Sequence, residues 1–175
     1  TAEVIRSDHG RAGLMVANNV LAHVADPNDF LQGVARLLAP NGVVVMEVQY
    51  LGDLIAGNMF DHVYHEHRSY FSLTTLRGLF GRNGLVITGA RRTAPQGGSL
   101  RVTAVHNGID PYARLTHEYW LTQISTYSTM QGRVDHVRDR LLSILHNCGF
   151  STVAGYAATA KSTTLLNYCG IRDLE

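Results

Sequence analysis

GLMVANNVLAHVADPNDFLQGVARLLAPNGVVVMEV, residues 13–48, decides the fold. Leu14-Met15-Val16-Ala17 is a short apolar run that closes on the amides Asn18 and Asn19. That is the form of a buried parallel strand running into a functional loop. Asp26-Pro27 then opens a helix: an Asp N-cap accepts from the first free N–H groups, and proline's fixed φ suits the first helical position. Phe30, Leu31, Val34, Leu37 and Leu38 keep helical spacing, and Pro40-Asn41-Gly42 stops the helix. Gly42 to Val48 reads as a second buried strand. Strand, helix and strand in this order make a right-handed crossover of a parallel sheet, so the fold class is α/β.

Downstream, Ser72 caps a helix through Leu76, Leu79 and Phe80 that ends at Asn83-Gly84. Leu85 to Thr88 is a third strand. The turn Pro95-Gln96-Gly97-Gly98 leads to a fourth, Ser99 to Val105, and the short connection predicts antiparallel pairing of the two. From Tyr112 to Asn147 the pattern is helical, with a seam of Val134, Val137, Leu141, Leu142 and Leu145 and a break between two helices at Gly132. Gly149 ends the second helix. Val153 to Ala158 then predicts a strand, and Ala160 to Tyr168 a helix, as a new α/β unit begins. The domain reading is therefore 1–108, a helical connection over 109–150, and the start of a further α/β domain over 151–175.

The chain has 175 residues, 45% hydrophobic and 17% charged, with a net charge of +1. That suits a globular protein and gives no electrostatic ground for a nucleic-acid partner. The two cysteines form no Cys-x-x-Cys pair, which fits a reducing, cytoplasmic setting. No apolar run approaches the roughly 20 residues that span a bilayer, so no membrane association is expected. Thr1 is no initiator methionine, and both ends abut patterned segments, so a fragment cut at both ends is expected.

The densest chemistry lies in Tyr64-His65-Glu66-His67-Arg68-Ser69-Tyr70-Phe71-Ser72-Leu73. Imidazoles, a carboxylate and phenols are the groups that move protons near neutral pH. The segment follows the carboxyl end of the second strand, where α/β sheets place their ligands. His67 is a candidate general base, with Tyr64 and Glu66 near enough to orient it; a hydrogen-bonded structural histidine is the plain alternative. In an extended segment His65 and His67 would share one face and Tyr64 and Glu66 the other, a restriction that a turn relaxes. His62, His65, Glu66 and His67 also include the ligand types of a zinc or iron site, without a His-Glu-x-x-His helix. His23 either lines a pocket or caps Asp26. Gly97-Gly98-Ser99-Leu100-Arg101 either holds a phosphate or sugar hydroxyl or is a plain hairpin turn. Gly155-Tyr156-Ala157-Ala158-Thr159-Ala160-Lys161 resembles a cofactor turn but lacks the dinucleotide glycine spacing.

Together, five blocks resemble the S-adenosylmethionine-dependent sugar C-methyltransferases, in the family's order. They are Asn18 to Val24, Glu47 to Leu51, Tyr64 to Ser72, Gly97 to Arg101 and Gly155 to Lys161. These enzymes act on TDP-linked 4-keto deoxyhexoses, typically at carbon 3. The resemblance implies the second half of a class I methyltransferase (Rossmann-like) sheet, then helices and the start of a second α/β domain. It implies that His67 removes the proton next to the ketone, that Tyr64 and Glu66 are its partners, and that the enolate takes the methyl of S-adenosyl-L-methionine. Asn19 and His23 match the loop facing cofactor and substrate, and Tyr70, Ser99 and Arg101 match positions near the sugar nucleotide. The family's cysteine-rich zinc domain and Gly-rich cofactor loop have no counterpart here, so zinc is expected only outside this chain, and this chain alone is expected to be inactive. Ala157 and Ser162 stand where the family usually has glycine. A non-catalytic module of this fold, a metal-dependent enzyme, and an O- or N-methyltransferase on the same scaffold are the competing readings.

Overall fold

Four strands form one sheet, in the order β1 (Ala12–Asn18), β2 (Leu38–Gln49), β4 (Ser99–Val105), β3 (Val86–Thr93). The computed structural model describes residues 1–114, 118–150, 152–156 and 159–172. A helix not foreseen from the sequence, α1 (Ala2–His9), leads into β1 (Ala12–Asn18). α2 (Pro27–Leu37) starts as expected, with the Asp26 carboxylate accepting from the N–H groups of Asn28 and Asp29. β2 (Leu38–Gln49) pairs parallel with β1. This is the mixed α/β arrangement expected for the second half of a class I methyltransferase sheet.

The helix stops before the expected Pro40-Asn41-Gly42. α2 ends at Leu37, and Pro40-Asn41-Gly42 lies inside β2 as an irregularity: Ala12 pairs with Leu38, but Leu14 already pairs with Val43. Proline has no N–H for a ladder and tolerates such a bulge. A Cβ on Gly42 would sit 2.9 Å from the Ala12 carbonyl oxygen, so the close approach there needs glycine.

After α3 (Leu51–Ala56) and a long loop, α4 (Leu73–Arg82) begins at Ser72, whose hydroxyl accepts from Thr75 N–H. β3 (Val86–Thr93) and β4 (Ser99–Val105) pair antiparallel, as expected, and β4 also pairs antiparallel with β2. β3 therefore runs in the same direction as β1 and β2. The carboxyl ends of β1, β2 and β3, and the amino end of β4, all meet at one edge of the sheet.

The core lies on one face of the sheet. Val44, Met46 and Val48 of β2 and Leu100, Val102 and Ala104 of β4 alternate into it, against Leu31 and Val34 of α2 and Leu76, Leu79 and Phe80 of α4. Burying side chains of this size contributes about 1.5–3 kcal/mol each, which fixes the register that carries the loops.

The C-terminal third departs from expectation in three ways. The helical break is at Thr129, between α5 (Ile124–Ser128) and α6 (Met130–Asn147), and α6 runs through Gly132. Glycine costs a helix about 1 kcal/mol but does not forbid it. Of the expected seam only Val134 is buried, while Val137 and Leu142 stay exposed. Residues 152–156 form no strand: the segment meets no ladder partner among the described residues, and Tyr156 is fully exposed. Ala157 and Ala158 lie outside the described residues. α7 (Ala160–Cys169) forms as expected, with Thr159 as its N-cap. Among the described residues no helix is long and apolar enough to cross a membrane.

Candidate active site

A pocket of about 100 Å³ opens at the carboxyl edge of the sheet, lined by Asn19, Ala22, His23, Gln49, Tyr64, His67 and Gln96. Each part of the sheet edge delivers part of it. Asn19 and His23 follow β1; Gln49 ends β2; Tyr64 and His67 come from the loop after α3; Gln96 comes from the turn between β3 and β4. Asn19 adopts φ 55°, a left-handed conformation that asparagine tolerates better than most residues, and its N–H donates to the Glu47 carbonyl. Arg68 N–H donates to the Ala22 carbonyl at 2.8 Å, and Leu51 N–H to the Phe71 carbonyl at 2.8 Å, so the histidine loop is tied to the turn after β1 and to the start of α3.

Tyr64 to His67 is a tight turn, closed by the His67 N–H donating to the Tyr64 carbonyl at 3.0 Å. The extended geometry is thereby corrected. Tyr64 and His67 share a side, with ring centroids 4.2 Å apart, and His65 points away with its side chain 86% exposed. Glu66 is also turned outward; its carboxylate lies 3.9 Å from His65 Nε2 and makes no hydrogen bond to His67 among the described residues.

The environment of His67 fixes its tautomer. Nδ1 lies 2.9 Å from the backbone oxygen of His62. A carbonyl can only accept, so Nδ1 carries the proton and Nε2 presents its lone pair. The Tyr64 hydroxyl meets that lone pair at 3.0 Å. Burial lowers the His67 pKa from its ordinary 6.5; the His62 carbonyl opposes this, and the charges of His23 and Lys161 reinforce it. The ring is therefore neutral, and able to accept a proton, at neutral pH. The expected result in an NMR pH titration of the ring protons is a His67 midpoint below 6.5, assigned by its loss in His67→Asn. A midpoint above 7 would contradict this environment.

Burial first, then the Glu66 charge, raises the Tyr64 pKa, so its phenol stays protonated as a donor. His23 stands edge-on to His67 at 5.0 Å, while the Asp26 carboxylate is taken up by its own helix. Of the two readings of His23, the pocket-lining one matches its position.

Three sequence-derived substrate residues are placed elsewhere. Tyr70 stands behind His67, its hydroxyl donating at 3.4 Å to the same His62 carbonyl, and it does not line the pocket. Ser99 is fully buried, and its hydroxyl donates to the Pro95 carbonyl at 3.0 Å, so it shapes the turn. The Arg101 guanidinium is held by the buried Glu47 carboxylate directly across the ladder, at 2.9 Å from Nε and 2.8 Å from Nη2. Gly98 also has a packing reason: with φ 137°, a Cβ there would collide with the Asp53 side chain.

Gln49, Gln96 and Ala22 were not foreseen. Gln49 was findable, because it ends a parallel strand at the ligand edge. Its carboxamide contacts His62 Nδ1, and His62 is itself buried. Among the described residues no three His, Cys, Asp or Glu side chains converge as metal ligands do. His65 turning outward separates the group that sequence alone could have joined.

Residues 1–89, half of the chain, match the family described as methyltransferase domain. The chain belongs to the methyltransferase family. Residues 94–174 match the C-methyltransferase C-terminal domain. The chain is 36% identical, over its whole length, to the C-methyltransferase NovU of Streptomyces niveus, of which it spans 45%. Among solved structures it is similar to the methyltransferase complexed with the Trm112 activator of Haloferax volcanii (17% identity, 56% of this chain and 55% of that one, TM-score 0.48). It is also similar to magnesium protoporphyrin IX methyltransferase from Synechocystis with bound SAH (17% identity, 55% and 46%, TM-score 0.43).

The family's methyl donor is S-adenosylmethionine. Pockets for ligands of that class run to roughly 300–1,000 Å³. The pocket here, about 100 Å³, is smaller than that.

Proposed function

We propose that a full-length protein carrying this chain methylates carbon next to a ketone in a TDP-linked 4-keto deoxy sugar. The observation that supports this reading most is the orientation of His67. Its Nδ1–H is tied to a backbone carbonyl, and the ring lines the pocket with Nε2 unprotonated. A base so placed can take a proton from carbon. The Tyr64 hydroxyl meets Nε2 at 3.0 Å. A substrate C–H displaces it, and the freed phenol turns to donate to the substrate's carbonyl oxygen. The C–H bond breaks, the proton passes to His67 Nε2, and the electron pair spreads onto oxygen as an enolate stabilised by donors. S-adenosylmethionine supplies an electrophilic methyl group, and Asn19 and His23 would hold its reacting end. Glu66, on the outer side of the turn, tunes the loop through its charge.

Transfer to carbon is supported by similarity: the second half of the chain matches the C-methyltransferase domain, and the relative NovU is named a C-methyltransferase; the keto sugar rests on the resemblance of the sequence blocks. Product analysis tests it. Incubating the full-length protein with a TDP-4-keto-deoxyhexose and carbon-13-labelled methyl donor is expected to give a label bonded to ring carbon. A label on oxygen or nitrogen would replace this reading with an O- or N-methyltransferase.

A further inference from the structure

The turn between β3 and β4 holds Gln96 in a backbone conformation that L-residues rarely adopt, φ 58° and ψ 26°. Strain of this kind persists where surrounding structure enforces it. Here the enforcement is visible. The Pro95 carbonyl accepts from Gly98 N–H and from the Ser99 hydroxyl, both at 3.0 Å, and Tyr50 N–H donates to the Gly98 carbonyl at 3.1 Å. The result is that Gln96 stands in the wall of the His67 pocket. From the other side Lys161, in the first turn of α7, donates to Gln96 Oε1 at 3.3 Å. An ammonium has only donors, so the atom it meets is the amide oxygen. That choice leaves the Nε2 hydrogens of Gln96 for another acceptor, and Nε2 has no partner among the described residues.

We propose that Gln96 is a substrate-contacting residue whose Nε2 donates to the carbonyl oxygen of the substrate, and that Lys161 is the positioning residue that sets the amide's orientation. This rests on the reading of His67 as the base. As the C–H bond breaks and its proton moves to Nε2 of His67, charge gathers on the carbonyl oxygen. A neutral amide donor at the pocket wall strengthens its hydrogen bond as that charge grows. It does so without the ammonium entering the pocket, so Lys161 lends its field while staying outside. That field adds to burial in keeping His67 neutral.

The test is hydrogen–deuterium exchange at the carbon next to the ketone, with a TDP-4-keto-deoxyhexose in D2O and the full-length protein, without methyl donor. Gln96→Gly removes the amide and relieves the positive φ, so the fold survives or gains stability. Exchange in Gln96→Gly is expected to fall about 10²-fold, within the range for losing one such donor. Substrate affinity should change by less than about threefold, since a ground-state carbonyl engages the donor weakly. Lys161→Met is expected to reduce exchange by roughly tenfold, and Lys161→Arg to restore it, because a guanidinium is likewise cationic and offers only donors to Oε1. Wild-type exchange in Gln96→Gly, or failure of Lys161→Arg to restore the loss in Lys161→Met, overturns the proposal while leaving His67 as the base. Absence of exchange in the unaltered protein overturns the underlying reading as well, and so separates the two failures.

Discussion

Replacing His67 with asparagine in the full-length protein lowers the methylation turnover number by roughly 10²–10⁴-fold, the range for a lost general base. The KM for the sugar nucleotide stays within a few-fold. Asparagine retains a donor that can reach the His62 carbonyl, now met by His67 Nδ1 at 2.9 Å, so the loop keeps its anchor. It lacks any group that accepts a proton near neutral pH. The loss therefore falls on turnover, and the folded state and its binding surface persist. Glu66→Gln, by contrast, costs less than about threefold, because the carboxylate points outward and its influence on His67 passes through water. A reading of the chain as a non-catalytic module predicts no change in either variant. A Glu66→Gln loss as large as that of His67→Asn would mean that the turn closes inward over substrate in a way the present geometry lacks. Steady-state kinetics on both variants, with circular dichroism as the fold control, checks the prediction.

Removing the Glu118 carboxylate destabilises the protein by about 2–4 kcal/mol. Glu118 is 3% exposed and reaches across from the segment after β4 to the start of α4. It accepts from Leu73 N–H at 2.9 Å, Thr74 N–H at 2.7 Å and the Thr74 hydroxyl at 2.6 Å. The first N–H groups of a helix have no partner within it, and each left bare and buried costs about 1–3 kcal/mol. Burial on its own would raise this carboxyl's pKa, but the Thr74 hydroxyl and the two backbone donors outweigh it and hold it below the ordinary 4.5. The folded-state pKa is depressed, so the stabilisation is complete above about pH 4.5 and is lost as pH falls through the lower folded value. Urea unfolding of the wild type and Glu118→Ala at pH 7 measures the full difference. Glu118→Gln, which keeps the shape and one acceptor but not the charge, costs less. The gap between Glu118→Gln and the wild type narrows toward pH 3. An unchanged gap would mean the carboxylate is not ionised in this cap. The site depends on this clamp, because α4 begins directly after the loop that carries Tyr64, His67 and Phe71.

What could be read from sequence divides along physical lines. Asp26-Pro27 and the Ser72 cap marked helix starts because the N-cap interaction is local, and both stand in the structure. The antiparallel β3–β4 pair followed from connection length. Pro40-Asn41-Gly42 misled because proline and glycine mark a helix stop and a sheet bulge alike, and only the partner strand decides. The helical seam of α6 failed for the opposite reason: periodicity shows an apolar face but not whether anything covers it. His67 and Tyr64 were legible as a dense cluster, yet which of the four loop residues face inward depended on a turn that alternation could not foresee. Ser99 and Arg101 carry the side chains a ligand would want, but burial and Glu47 occupy them. Gln96 was hidden because its role arises from a left-handed backbone and from a lysine 65 positions away.

Deuterium uptake at the carbon next to the ketone, compared between the wild type and His67→Asn, shows whether His67 takes the proton from that carbon. A TDP-4-keto-deoxyhexose in D2O, without methyl donor, is followed by proton NMR. The expected result is uptake at a single ring carbon adjacent to the ketone, reduced at least about 10²-fold in His67→Asn. Equal uptake in the two proteins would rule out His67 as the base.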